Sequence, residues 1–289
     1  MAASGALTLT KHHGAGNDFL VLLDPDDARP LGADEVAALC DRHRGVGADG
    51  VIRVTGRGAL SMDLRNADGS VAEMSGNGIR CLVQAAVDGG LAEPGTVTVH
   101  TLAGVRAVDY RAEGPGAGHA RVGMGPARLG PEVEVPDLAG AAWARRVDMG
   151  NPHVVVFGAV VDDDATVAEV GARLGRAHEG GANVEFVWPG RPGELVLRVF
   201  ERGVGETLAC GTGACAALAA ARAHGAAGDA AAVRSPGGTL EVECRGDELV
   251  LAGPTVRVAE VVVDGAWLAA ARRGAPGGAA PAVEVAARR

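Results

Sequence analysis

Lysine is almost missing from this chain: Lys11 is the only one in 289 residues. A pyridoxal-phosphate enzyme needs a lysine amine for its Schiff base. Lys11 stands beside a His-His-Gly turn with no obvious cofactor pocket around it, so that chemistry is not expected. Aromatic residues are scarce at 3%, which leaves the core to Val, Leu, Ile and Ala. No stretch approaches the ~20 apolar residues of a membrane-spanning helix. The amino terminus lacks the basic region, apolar run and cleavage site of a secretory signal. The five cysteines (Cys40, Cys81, Cys210, Cys215 and Cys244) are odd in number and show no CxxC spacing. A disulfide framework or a metal site is therefore not expected, and a reducing, cytoplasmic setting is. Clustered basic residues are also absent and the net charge is −9, which argues against a nucleic-acid partner and gives no reason to expect a membrane one.

What is present is a globular composition, 47% hydrophobic and rich in glycine (45 residues), long enough for two modest domains. Short β-branched runs predict strands over Gly50 to Thr55, Thr96 to Thr101, His153 to Phe157, Val184 to Val187, Leu195 to Phe200 and Leu249 to Val258. Helices are predicted over Ala33 to His43 behind an Asp34 cap, and over Asn77 to Val87. Two more are predicted over Ala165 to His178 behind Asp162-Asp163-Asp164, and over Thr212 to His224. The Ala-, Gly- and Pro-rich stretch 274–289 reads as a disordered tail.

A weak internal repeat organises these elements. Asn17 precedes Asp49 by 32 residues, as Asn151 precedes Asn183, and Gly47-Ala48-Asp49 resembles Gly181-Ala182-Asn183. Asn66 lies nine residues before Ser75, and Glu201 nine before Cys210. Ser75-Gly76-Asn77-Gly78 then matches Cys210-Gly211-Thr212-Gly213, each opening a helix. Four matches in one order predict two similar domains. The expected limits are 1–125, completed by about 257–273, and 126–256.

Each half thus ends a strand region with a hydroxyl or thiol residue, Gly-x-Gly and a helix. The first turn of a helix has unpaired N–H donors and a partial positive charge, so it binds anions. Two such entrances facing each other would grip one carboxylate and hold Ser75 and Cys210 on opposite faces of its α-carbon. That suits inversion, with one group removing a proton and the other returning one. A helix entrance lowers a cysteine pKa, so a Cys210 thiolate at neutral pH is expected. A phosphate-binding turn is the competing reading, but no Walker lysine follows; a buried structural cysteine is the other.

Longer motifs narrow the field. They are His13-Gly14-x-Gly16-Asn17-Asp18-Phe19, Arg65-Asn66-Ala67-Asp68-Gly69-Ser70 and Gly76-Asn77-Gly78-x-Arg80-Cys81. Gly150-Asn151-Pro152-His153 and Glu201-Arg202-Gly203-x-Gly205-x-Thr207-x-x-Cys210-Gly211-Thr212-Gly213 follow. In this order they resemble the diaminopimelate epimerase family. The resemblance implies an α/β (α+β) fold of two pseudo-symmetric domains, each a mixed sheet or incomplete barrel around a central helix. It also implies conversion of LL- to meso-diaminopimelate for lysine and peptidoglycan precursors, without metal or cofactor, in a homodimer. Carried over residue by residue, Cys210 and the residue at 75 are the acid and base, with His153 and Glu201 in support. Asn17, Asn66, Asn151, Asn183, Glu201 and Arg202 are the implied substrate contacts, and the amides of Gly76, Asn77, Gly211 and Thr212 hold the reacting carboxylate. The residue types suit a zwitterion: Arg202 can fork onto a distant carboxylate and Glu201 can meet an ammonium.

The pattern breaks at Ser75, where the family carries cysteine. A serine hydroxyl is a far weaker acid than a thiol; it can return a proton to a carbanion but is a poor resting base. An engineered change, a natural lineage working with a serine–cysteine pair, and a non-catalytic binding paralogue all fit the sequence, as does an epimerase of another amino acid such as hydroxyproline. Gly50 is a smaller departure, since some relatives carry glutamine there.

Overall fold

The computed structural model describes residues 5–72, 74–135 and 138–272. The expected tail lies outside them. The first half runs β1 (Leu7–Gly14), β2 (Asn17–Leu23), α1 (Ala33–Cys40), β3 (Gly50–Thr55), β4 (Leu60–Asn66) and β5 (Val71–Ala72). It continues with α2 (Gly76–Asp88), β6 (Gly95–Thr101), β7 (Gly104–Gly114), β8 (Ala117–Gly125) and β9 (Arg128–Glu132). The second half repeats the series: β10 (Trp143–Asp148), β11 (Pro152–Phe157), α3 (Asp164–Arg176), β12 (Asn183–Pro189), β13 (Glu194–Glu201) and β14 (Gly205–Thr207). Then come α4 (Gly211–Ala223), β15 (Ala230–Ser235), β16 (Gly238–Arg245), β17 (Glu248–Val263) and α5 (Gly265–Ala271).

The sheets close into barrels. β1 pairs with β2, β2 with β3 in parallel, and β3 with β4; β4 then pairs with β6, β6 with β7, and β7 with β8. β17 completes the ring, pairing with β8 through Leu249 to Val256 and with β1 through Val256 to Val263. The second ring runs β10, β11, β12, β13, β15, β16 and β17. It returns through β8 and its continuation β9 to β10. Two strand paths, β8–β9 and β17, therefore belong to both barrels.

One helix fills each barrel. In α2 every residue from Gly76 to Ala86 is buried, which a helix at the centre of a ring of strands requires. α4 is built largely of alanine, and its small side chains fit inside the second ring. The lining of both barrels and their helices forms one continuous apolar core that holds Ile79, Leu82, Val122, Leu218 and Leu251. α1 packs outside the first barrel and α3 outside the second, each over its own smaller cluster.

Local differences from expectation have local causes. α1 stops at Cys40 instead of reaching His43, because the Asp41 carboxylate accepts the N–H groups of His43 and Arg44 and turns the chain. Its N-cap is Gly32 rather than Asp34; the Gly32 N–H donates to Glu35 Oε2 at 3.0 Å. Asp163 caps α3 through Thr166 N–H, and the helix ends at Arg176.

The repeat holds, but its register shifts by one residue near position 50. Phe19 lies beside Gly50 as His153 lies beside Asn183. Gly50, and not Asp49, therefore takes the place of Asn183. Asp49 instead receives a hydrogen bond from Asn17 Nδ2 at 2.7 Å, whereas Asn151 bonds Thr212 and His153.

Candidate active site

Ser75 and Cys210 are the N-caps of the two central helices. The Ser75 Oγ accepts the Gly78 N–H at 3.0 Å, and the Cys210 Sγ accepts that of Gly213 at 3.4 Å. Both residues have extended backbones, which turns their side chains back over the first helical turn. The two entrances touch: a Cβ on Gly211 would lie 3.3 Å from Gly76 Cα and 3.6 Å from Asn77 N. A Cβ on Gly76 would meet the Leu251 side chain of the shared β17 at 2.6 Å. Glycine at both positions lets the helices converge. The N–H groups of Gly76, Asn77, Gly211 and Thr212 belong to the first helical turns and precede the first intrahelical bonds, those of Ile79 and Ala214.

Asn77 ties the halves together, donating to Asn17 Oδ1 and to Ala209 O, both at 3.2 Å. Beneath it, fully buried Arg80 donates to Gly76 O and Asn77 Oδ1, each at 2.9 Å. Burial pulls the Arg80 guanidinium down to about 10. Lys11 is committed elsewhere, its ammonium 2.8 Å from Asp18.

A hydrogen-bonded row runs away from Cys210 on its own side. Its Sγ lies 3.4 Å from Thr212 Oγ1, which accepts from Asn151 Nδ2 at 3.4 Å. Asn151 Oδ1 is 3.0 Å from His153 Nε2, and His153 Nδ1 is 2.6 Å from Glu185 Oε1. His153 and Glu185 have no exposure at all. Glu185 was not singled out by any motif; its flanks, Val184 and Phe186, read simply as a strand.

The expected Cys210 thiolate is not what the environment favours. Cys210 is only 7% exposed, and burial, then the carboxylates of Glu201 and Glu185, push its thiol well above the ordinary value. These effects outweigh the helix entrance, so the resting group is the thiol. Glu201 is itself pushed up by burial, with Glu185 and Asp49 adding to the rise, although Thr207 Oγ1 donates to it.

Asn183 accepts the Arg202 N–H at 2.9 Å and so positions the Glu201-Arg202 turn. The Arg202 guanidinium lies at the exposed rim and donates to Gly180 O at 2.9 Å. Asn66 is exposed as well, its amide bonded to Ser70 Oγ at 3.0 Å within its own turn. The structure thus gathers Asn17, Ser75, Gly76, Asn77, Asn151, His153, Cys210, Gly211 and Thr212 at the helix junction. Glu201 faces Cys210 from β13, while Asn66 and Arg202 stand further out.

Two solved structures share this architecture over most of their length. A hydroxyproline epimerase from Agrobacterium vitis superposes with a TM-score of 0.68 at 17% identity, covering 91% of this chain and 94% of that one. A probable proline racemase from Agrobacterium radiobacter gives 0.68 at 19%, covering 89% and 93%. Fold and helix junction together define the architectural class, that of two-barrel proteins with one helix inside each barrel. The sequence narrows it: the family model "Diaminopimelate epimerase" matches residues 9–130 and 145–258, one match in each half. Diaminopimelate epimerase of Streptomyces coelicolor is 43% identical over 289 residues, covering 92% of this chain and 98% of that protein. That of Rhodococcus opacus is 40% identical, covering 90% and 98%. The chain belongs to the diaminopimelate epimerase family.

Proposed function

We propose that the chain interconverts LL- and meso-diaminopimelate by moving a proton at one α-carbon, in the route to lysine and peptidoglycan precursors. The observation that carries this is the meeting of two helix entrances, one capped by Ser75 and the other by Cys210. The substrate α-carboxylate binds at the amides of Gly76, Asn77, Gly211 and Thr212. As the substrate binds, the resting Cys210 thiol gives up its proton to solvent; the thiolate then takes the α-proton and is a thiol again, and the carbanion charge moves onto the carboxylate oxygens, where these amides stabilise it. Ser75 Oγ–H returns a proton to the opposite face and recovers one from water. Glu201 and His153 support the Cys210 side, and an ammonium near Glu201 offsets the carboxylate charges that, after burial, hold the thiol protonated. Asn17, Asn66, Asn151, Asn183 and Arg202 bind the rest of the zwitterion, with Arg202 swinging from Gly180 to the distal carboxylate. No metal or pyridoxal phosphate takes part. We further propose a cytoplasmic homodimer whose domains divide near residue 125, with 257–273 returning to the first.

Incubation of the protein with LL-diaminopimelate in D₂O, followed by NMR, tests the function. Deuterium entry at the α-carbon with formation of the meso isomer supports it. Exchange without inversion assigns the failure to Ser75, and no exchange sinks the proposal in favour of a binding protein or another substrate.

A further inference from the structure

Beneath their helix entrances the two barrels place chemically different side chains at matching positions. A Cβ on Gly78 would meet Ile52 Cδ1 at 3.1 Å and Ser75 Cβ at 3.1 Å. On its counterpart, Gly213, it would meet Glu185 Oε1 at 2.7 Å and Cys210 Cβ at 3.2 Å. Glu185 therefore occupies in the second barrel the place that Ile52 holds in the first. The strand register makes the same assignment for their partners, His153 against Phe19. Ile52 and Glu185 are both fully buried, as is His153, and Phe19 is nearly so.

An apolar pair satisfies the barrel on the serine side, so packing alone does not require a Glu–His pair on the cysteine side. Burying a carboxylate is costly unless it is paired and hydrogen-bonded. Here Glu185 Oε2 has no hydrogen-bond partner among the described residues, so the carboxylate depends on the His153 ring at 2.6 Å. That contact fixes the plane of the ring and turns Nε2 toward the Asn151 carbonyl oxygen at 3.0 Å. Asn151 in turn meets Thr212, and Thr212 meets the Cys210 sulfur.

We propose that Glu185 is a positioning residue for the reaction: it locks the orientation of His153 and, through Asn151 and Thr212, the direction of the Cys210 sulfur. It touches neither substrate nor sulfur. An amide cannot pass a proton along this row without changing its own bonding, so the row conveys orientation. Carboxylate–histidine pairs that orient an acting group lose about 10–100-fold when the carboxylate is removed, as the outer partners of metal-bound histidines do. The titratable groups around the row are Glu201 from β13, His153 from β11 and Glu185 itself from β12, with Asp49 acting on Glu201 from the other half.

This inference rests on Cys210 being the acting group of the proposed epimerase, so its test has one arm that needs no substrate. The imidazole Nδ1–H of His153, identified by its loss in His153→Gln, resonates far downfield in the parent and in Glu185→Asp. In Glu185→Gln it moves upfield and exchanges faster with water. In the kinetic arm, Glu185→Gln lowers kcat for α-hydrogen exchange about 10-fold or more with KM within about 2-fold, and Glu185→Asp recovers most of the loss. A Glu185→Gln protein with parental kcat and an unmoved Nδ1–H signal overturns the inference. So does a loss that merely follows the folded fraction. Should Glu185→Gln fail to fold, Glu185→Asp decides: retained signal and kcat support it, and loss of both overturns it. If the parent leaves diaminopimelate unchanged, the proposed function fails, while the proton signal still judges the positioning role.

Discussion

Gly76 and Gly211 meet across the centre of the molecule, so closely that a methyl group on Gly211 would press on the Gly76 Cα at 3.3 Å and on Leu251 at 3.0 Å. The pair sets the spacing of the two helix entrances and hence of the four amides offered to a carboxylate.

Gly211→Ala should therefore damage chemistry more than folding. We expect kcat/KM to fall about 100-fold, the order found when reacting groups are misplaced by ~1 Å. Stability should drop by about 1–3 kcal/mol from overpacking. Steady-state kinetics beside urea denaturation measure both, and an active Gly211→Ala protein would contradict the proposed carboxylate site.

Cys210→Ala should abolish α-hydrogen exchange with the fold retained by circular dichroism. Ser75→Cys should raise the rate of inversion by about 10-fold or more, since a positioned proton donor contributes roughly 10²–10⁴-fold and a thiol fills the role better than a hydroxyl. The N-cap survives the change, because a cysteine sulfur already accepts the equivalent N–H at 3.4 Å in the other barrel. An unchanged or lower rate would mean that the site is adapted to serine.

Arg80 holds the carbonyl of Gly76 and the amide of Asn77 from below with two separate nitrogens. Arg80→Lys keeps a charge but loses the planar fork. We expect kcat/KM to fall about 10-fold, comparable to loss of a residue that orients an active group. Unaltered kinetics would show that the first turn of α2 holds its shape unaided.

Buried thiols make stability depend on alkaline pH. Burial pushes Cys81 up to about 11 and Cys40 to about 12, while an unfolded thiol ionises near ~8.5. Between these values the unfolded chain has released protons that the folded protein still holds, so unfolding becomes more favourable as pH rises. The thiols' contribution is fully present below about pH 8.5 and is lost at roughly 1.4 kcal/mol per unit per thiol above it. Urea midpoints should fall between pH 8 and 10.5, and fall less in Cys81→Ala.

Much of this site could be read in the sequence because its parts are local. Ser75-Gly76-Asn77-Gly78 and Cys210-Gly211-Thr212-Gly213 announce their helix entrances, and the spacing from Asn66 and Glu201 announces the repeat. Strand β3 is found where its β-branched run predicts it. Strands such as β7, β8 and β16 do not show in the sequence, because their alternation is broken by glycine and charge and only the closed ring buries one face. Glu185 was hidden for a related reason. A glutamate between Val184 and Phe186 looks like the solvent face of a strand, and it is covered only because α4 lies inside the barrel. The state of Cys210 is not legible in the sequence, because a helix entrance shows there whereas the burial of the thiol and the converging carboxylates of Glu201 and Glu185 arise only from strand pairing.

The strands common to both rings have a consequence for synthesis. The first barrel needs residues 256–263 to pair with β1, and these are made after the whole second half. On the ribosome its opening strands wait with an unpaired edge, the kind of exposure that invites wrong partners. The half begun first is thus completed last, and no amino-terminal fragment ending before β17 can carry a closed barrel or a working site.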